Sequence, residues 1–309
     1  MSKTAFLLSG QGAQKPGMGA GLVDAGIPEV DEVFAEASQA FGFDVADAAL
    51  HADADRLNDT AVAQPVMCAT SVAVARALQA RGVQPDYVLG FSLGQISALA
   101  VSGMLSLQDT FRLAAFRAQA MAEAAAQQDG AMCALMGGTP EEVEALCGEC
   151  AQSGILVPAN YNAPGQVVVS GDRAAILRAQ EAWSGPGKRS ALLATSGAFH
   201  SPLMQPAADA LEGFLQTVDF QEPRISLICN VTAQPLDAAH ARQHLVDQVK
   251  SPVLFSQSVS WLAGQGVTNF VECGFGGVLT GLVRRIDKSA ARLRVENRET
   301  LAAALEQLL

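Results

Sequence analysis

The segment Gly90-Phe91-Ser92-Leu93-Gly94 constrains this chain more than any other. Tyr87-Val88-Leu89, an apolar run, leads into it, and Ile96-Ser97-Ala98-Leu99-Ala100 follows it with helical character. A strand that turns into a helix at a glycine-flanked serine forms an elbow, because only small flanking residues make so tight a turn sterically possible. The turn exposes the hydroxyl. Serine is a weak nucleophile that needs such exposure and a neighbouring base, and the helix N-terminus with the Leu93 N–H can face a developing oxyanion. The pattern predicts an α/β fold and Ser92 as the nucleophile of an acyl-transfer enzyme.

The rest of the chain fits around that elbow. Ala5-Phe6-Leu7-Leu8 reads as a buried parallel strand, Ala61 to Arg81 and Leu107 to Ala126 as helices, and Ile225 to Ile228 and Asn269 to Glu272 as further buried strands. From Gly130 the texture changes. Ala131–Met136, a helix starting at Thr139-Pro140, Ile155–Asn160, Gln166–Ser170, a helix over Asp172–Trp183 and Ser190–Ala194 follow in β-α-β-β-α-β order. That is the split pattern of a ferredoxin-like unit. The expected organisation is a large α/β catalytic domain from residues 1–127 and 198–309, a small subdomain over 128–197, and an active site in the cleft between them. A helix is expected after Ser201-Pro202, and others over Gly276–Arg285 and Glu299–Leu308.

Four histidines are available as the base. His51 lies in an Asp-rich stretch. His240 and His244 are four apart on an expected exposed helix, with no third ligand nearby to make a metal site. His200, between a strand and a helix, is the best base by elimination. With 309 residues, half of them hydrophobic and 17% charged, the chain can bury a large core. A net charge of −11 argues against nucleic acid as the main partner, because phosphate binding needs Lys and Arg, and against an anionic membrane. No apolar run reaches the roughly 18 residues of a membrane span, and Met1-Ser2-Lys3-Thr4 runs straight into a strand with no signal peptide. A cytoplasmic monomer with reduced cysteines is expected. Cys147 and Cys150 form a single C-x-x-C at an expected helix end, with no second pair.

At this point the sequence resembles the malonyl-CoA:acyl-carrier-protein transacylases and the related acyltransferase domains of polyketide synthases. The resemblance runs through Gly10-Gln11-Gly12-Ala13-Gln14, Gln64-Pro65, the Ser92 motif, Arg117 in the helix beyond it, Asn160-Tyr161-Asn162-Ala163-Pro164-Gly165-Gln166, Phe199-His200-Ser201-Pro202, Asn230-Val231-Thr232, Glu272-Cys273-Gly274 and Leu279-Thr280-Gly281-Leu282. It implies an α/β-hydrolase-like large domain with a parallel sheet core and the inserted subdomain. It implies a Ser92–His200 pair, an oxyanion hole from the N–H groups of Gln11 and Leu93, and a main-chain carbonyl at Gln248 orienting the histidine in place of a triad carboxylate. Arg117 would take the malonyl carboxylate. Phe199 before the histidine goes with malonyl rather than methylmalonyl, and Leu93 looks like the malonyl type. No bound cofactor is implied; malonyl-CoA and a phosphopantetheinylated acyl carrier protein are the substrates, for fatty-acid biosynthesis. Phe91 and Gln95 depart from the family's usual His and Glu, and Phe91 makes the pocket edge more apolar. Carrier proteins are generally acidic, so the basic run Arg284, Arg285 and Lys288, followed by Arg292 and Arg294, is a candidate docking site.

Other readings stay open: a malonyl transferase serving a polyketide synthase or a malonate decarboxylase, a serine hydrolase, and a carrier-binding scaffold without catalysis. The hydrolase reading lacks an HGGG-type loop. Intact Ser92, His200 and Arg117 weigh against the scaffold.

Overall fold

A computed structural model describes residues 2–309. The chain enters as strand β1 (Lys3–Leu8), crosses a glycine-rich loop and forms helices α1 (Pro28–Phe41), α2 (Val45–His51), α3 (Ala54–Asn58) and α4 (Thr60–Ala80). Strand β2 (Tyr87–Gly90) leads through the elbow into α5 (Leu93–Ser102) and then α6 (Leu107–Ala126). β1 and β2 pair in parallel, as their unbroken apolar runs require of strands covered on both faces.

The small subdomain follows: β3 (Gly130–Met136), α7 (Pro140–Ala151), β4 (Leu156–Ala163), β5 (Gln166–Asp172), α8 (Arg173–Ala182) and β6 (Arg189–Leu192). Its strands lie in the order β4-β5-β3-β6, all antiparallel, which is the ferredoxin-like arrangement expected from the sequence. Helix α7 starts on a full capping box, Thr139 with Glu142, and Pro140 occupies its first turn.

The chain then returns to the large domain. A 3₁₀ turn (Pro202–Met204) leads into α9 (Gln205–Leu215), followed by β7 (Ser226–Ile228), α10 (Ala238–Gln248), α11 (Phe255–Gly264), β8 (Val267–Cys273), α12 (Val278–Ile286), β9 (Ala291–Val295) and α13 (Arg298–Leu308). The large sheet has the order β7-β2-β1-β8-β9 and is parallel throughout. Alternate residues of β1 feed two cores. Phe6 and Leu8 pack with the apolar faces of α1, α4, α5 and α6. Ala5 and Leu7 pack with Phe255, Val259 and Leu262 of α11 and with Leu279, Leu282 and Val283 of α12.

Two features differ from the sequence reading. Arg292 and Arg294, read from the sequence only as the tail of a basic run, stand on the edge strand β9; the Arg292 guanidinium bonds the carbonyl of Ala290 at 2.5 Å. Helix α4 is long and apolar enough to cross a membrane by length and composition, yet 83% of its most apolar window is buried inside the molecule. It is a central core helix, with Val66, Met67, Val72 and Val74 fully covered.

The topology places the site. From β1 the chain goes to β2 on one side, and β8 goes to β9 on the other. Ligand crevices in open α/β sheets form outside the carboxyl ends of strands at such a reversal. The loop Ser9–Gln14 after β1, Ser92 after β2 and the start of α12 after β8 all meet there.

Candidate functional site

The elbow is built by contact geometry. A Cβ on Gly90 would lie 1.9 Å from the Gly94 carbonyl carbon, and one on Gly94 would lie 2.0 Å from the Leu8 carbonyl oxygen. Both glycines are therefore required by backbone packing, and Ser92 is left at φ 52°, ψ −106°. Non-glycine residues rarely occupy this region, and strain of this kind concentrates at functional sites. The Ser92 side chain does not cap α5; its Oγ lies 2.7 Å from His200 Nε2.

His200 also has a positive φ, 59°, and is buried. Its Nδ1 lies 2.8 Å from the main-chain oxygen of Gln248. Nδ1–H donates to that carbonyl, which leaves Nε2 as the acceptor facing the serine. Burial, with the nearby Arg117 charge second, lowers the His200 pKa to about 4, so the imidazole is neutral at neutral pH, with Nε2 free to accept a proton. The other histidines lie elsewhere: His51 is exposed on α2, and His240, on α10, pairs with the carboxylate of its N-cap, Asp237, at 2.7 Å. Among the described residues there is no cluster of His, Cys, Asp and Glu able to hold a metal.

Arg117 is 2% exposed. Its Nη1 donates to Gln64 Oε1 at 3.2 Å, and its Nη2 to Gln248 Oε1 at 3.1 Å and to Ser92 Oγ at 3.2 Å. Its Nε is buried without a partner. Among the described residues no carboxylate pairs with it. Burial lowers its pKa to about 10, so it remains a cation, and the Cys68 thiol close by is pushed up to about 12 by burial and stays neutral. A buried guanidinium held by neutral amides is an uncompensated positive charge beside the nucleophile.

Gln11 and Leu93 both border the cavity in front of Ser92. Among the described residues neither backbone N–H is bonded to a protein acceptor. Leu93 is the first residue of α5, where a free N–H is expected. The cavity has a volume of about 290 Å³ and is lined by residues of both the large domain and the small subdomain. Its small-subdomain wall includes Met132, Asn160 and Val168, and its large-domain wall includes Leu279. Phe199 lines it and is 7% exposed. Phe91 borders it half-buried, its ring packed edge-on against Phe255 with centroids 5.4 Å apart.

Gln95, Asn230 and the side chain of Gln248 carry more of the site than sequence reasoning assigned. Asn230 Oδ1 accepts the Ser92 N–H at 2.9 Å, and Gln95 Oε1 accepts the Asn230 N–H at 2.7 Å. Asn230 was visible in the sequence only as part of a motif, and Gln95 lies 135 residues before it in the chain. The docking run is divided. All three side chains are exposed, but Arg285 bonds Gln166 and, at 2.8 Å, the Pro164 carbonyl on the β4–β5 hairpin. Cys147 and Cys150 are free thiols buried on α7 among the apolar residues of the small core.

A parallel α/β body with an inserted ferredoxin-like subdomain, and a serine on a strained elbow in the cleft, defines an acyltransferase architecture. The chain belongs to the acyl transferase domain family, whose profile matches residues 5–303. It is 37% identical over 311 residues, 100% of this chain and 98% of the relative, to a malonyl CoA-acyl carrier protein transacylase of Bacillus subtilis. A malonyl-CoA:acyl carrier protein transacylase from Xanthomonas oryzae has the same fold at a TM-score of 0.95 and 39% identity, covering 100% of this chain and 99% of that one. So does a malonyl-transacylase solved in complex with a type II polyketide synthase acyl-carrier protein, at a TM-score of 0.95 and 37% identity, covering 99% and 100%.

Proposed function

We propose that this protein transfers a malonyl group from malonyl-CoA to the phosphopantetheine thiol of an acyl carrier protein through an ester on Ser92. The observation that carries the reading is the buried, unneutralised Arg117 with Nη2 3.2 Å from Ser92 Oγ. In a malonyl thioester one methylene separates the carboxylate from the reacting carbonyl. A cation next to the nucleophile therefore meets the carboxylate when the carbonyl reaches the serine. Guanidinium pairs with a carboxylate through two parallel N–H bonds, and an acetyl group offers it nothing.

In the first half-reaction Ser92 Oγ attacks the thioester carbonyl and its proton passes to His200 Nε2. The carbonyl oxygen becomes an oxyanion, received by the N–H groups of Gln11 and Leu93. The tetrahedral species collapses, the carbon–sulfur bond breaks, and coenzyme A leaves with the proton from His200. In the second half the carrier thiol gives its proton to His200, attacks the Ser92 ester, and the serine alkoxide recovers the proton. The Gln248 carbonyl holds the imidazole through both halves, so no carboxylate is needed. The Phe199 ring crowds the α-carbon and disfavours a methyl branch, a discrimination worth about 1–3 kcal/mol. Phe91 makes one edge of the pocket apolar. No resident cofactor or metal enters these steps. The exposed Arg284 and Lys288 offer an acidic carrier a basic surface on an otherwise acidic protein.

The test is incubation with labelled malonyl-CoA or acetyl-CoA, with and without holo carrier. Label should enter Ser92 from malonyl-CoA and move to the carrier thiol, and Ser92→Ala should take none. Arg117→Ala should weaken malonyl turnover more than acetyl turnover. Label released to water in preference to the carrier would make the protein a hydrolase.

A further inference from the structure

Three buried amides form a hydrogen-bond network on the protein side of the nucleophile. Asn230, Gln95 and Gln248 are each 0% exposed. Asn230 Oδ1 accepts from the Ser92 N–H at 2.9 Å and from Gln248 Nε2 at 3.3 Å, while its Nδ2 donates to the Gly90 carbonyl at 2.6 Å. One side chain thus grips the end of β2 and the strained serine together. The Asn230 N–H donates to Gln95 Oε1 at 2.7 Å, so the helix that follows the serine anchors the residue that holds it. Gln248 Nε2 donates to the Ser92 carbonyl at 2.9 Å, and its Oε1 accepts from Arg117 at 3.1 Å. These bonds set the Gln248 amide's orientation: its oxygen must face the guanidinium, and its nitrogen must then face Ser92 O and Asn230 Oδ1.

We propose that Asn230 is a positioning residue that holds the Ser92 backbone at its unfavourable dihedrals. Gln95 anchors it, and the Gln248 side chain carries the same constraint to Arg117. Gln248 then has two separable jobs. Its main-chain carbonyl orients His200, and its side chain ties the nucleophile to the carboxylate-binding cation. The acid–base pair and the substrate clamp are registered against each other by amides that never touch the acyl group. A shift of about 1 Å at a reacting group can cost about 100-fold in rate. The network joins both strained residues of the site, Ser92 directly and His200 through the Gln248 carbonyl.

This inference rests on the acyl-enzyme reading, and one experiment separates them. Single-turnover labelling of Ser92 by malonyl-CoA and by acetyl-CoA is followed in the full chain, with thermal unfolding of each variant. Asn230→Ala should slow acylation from both donors about 100-fold with little change in the donor concentration at half-saturation. Gln248→Ala keeps the carbonyl that holds His200 and should slow malonyl transfer more than acetyl transfer. Gln95→Ala, which removes only the anchor, should slow both about tenfold and serves if Asn230→Ala does not fold. Folded variants of Asn230 or Gln95 that acylate at the wild-type rate overturn the proposal, even if their melting temperatures fall. Equal losses from the two donors in Gln248→Ala overturn the link to Arg117. Wild-type protein that takes no label from malonyl-CoA would instead sink the acyl-transfer reading itself.

Discussion

His200 is buried beside a cation, which makes its protonated form costly and keeps the imidazole neutral, as the proposed role of proton acceptor requires. The ordinary imidazole titrates near 6.5, and here burial first and Arg117 second bring it to about 4. The sign follows directly: the neutral, proton-accepting form persists as pH falls below 6.5 and is lost only as pH approaches 4. The rate at which a neutral sulfonyl fluoride modifies Ser92 should stay flat through about pH 6 and drop along a limb near pH 4. Such a reagent has no carboxylate of its own to titrate. A limb at 6.5 would mean that the histidine is solvated and not held as described. Ser92 and His200 were readable from the sequence, one through its glycine-flanked setting and the other by elimination among four histidines. Arg117 and Gln248 were reached only through family resemblance, because nothing in a helical arginine or glutamine reveals what it faces. Asn230, Gln95 and Gln248 were each named through that resemblance, but nothing in the sequence links them as a network, since they become neighbours only when α5, the end of β7 and α10 converge.

Glycine substitutions test the element scale with opposite signs. Gly94→Ala drives a Cβ to 2.0 Å from the Leu8 carbonyl, backbone against backbone, with no flexible side chain to give way. It should cost more than about 4 kcal/mol or prevent folding, a loss outside the usual range for one methyl group. Gly148→Ala, on the exposed side of α7, meets nothing within 4 Å and should stabilise the helix by about 0.5–1 kcal/mol. Paired urea melts of the two variants check both values. At this scale the buried parallel strands announced themselves as apolar runs, and α7 through its Thr139-Pro140 start. Strand β9 did not, because Ala291-Arg292-Leu293-Arg294-Val295 alternates on an edge and reads as a basic run. Helices α2 and α3, seven and five residues long, are too short to show a periodic signal.

For the whole molecule, the proposed reaction raises the question of how a protein of net charge −11 would admit an acidic carrier to the cavity in front of Ser92. Long-range repulsion must be offset locally, and Arg284 and Lys288 are exposed near the end of α12, whose Val278, Leu279 and Leu282 line the cavity. Arg285 belongs to a different device. By holding Pro164 and Gln166 it ties α12 to the β4–β5 hairpin, and Gln166 itself lines the cavity. The adjacent arginines should therefore separate in kinetics. Charge reversal at Arg284 and Lys288 should raise KM for the carrier, more strongly at low salt, and leave hydrolysis of malonyl-CoA unchanged. Arg285→Ala should disturb both reactions, because it loosens a wall that both substrates meet. Steady-state assays against carrier and against water, at two ionic strengths, distinguish the outcomes. An unchanged carrier KM in the double reversal would remove α12 from the docking surface and leave Arg285 as a strut between the domains.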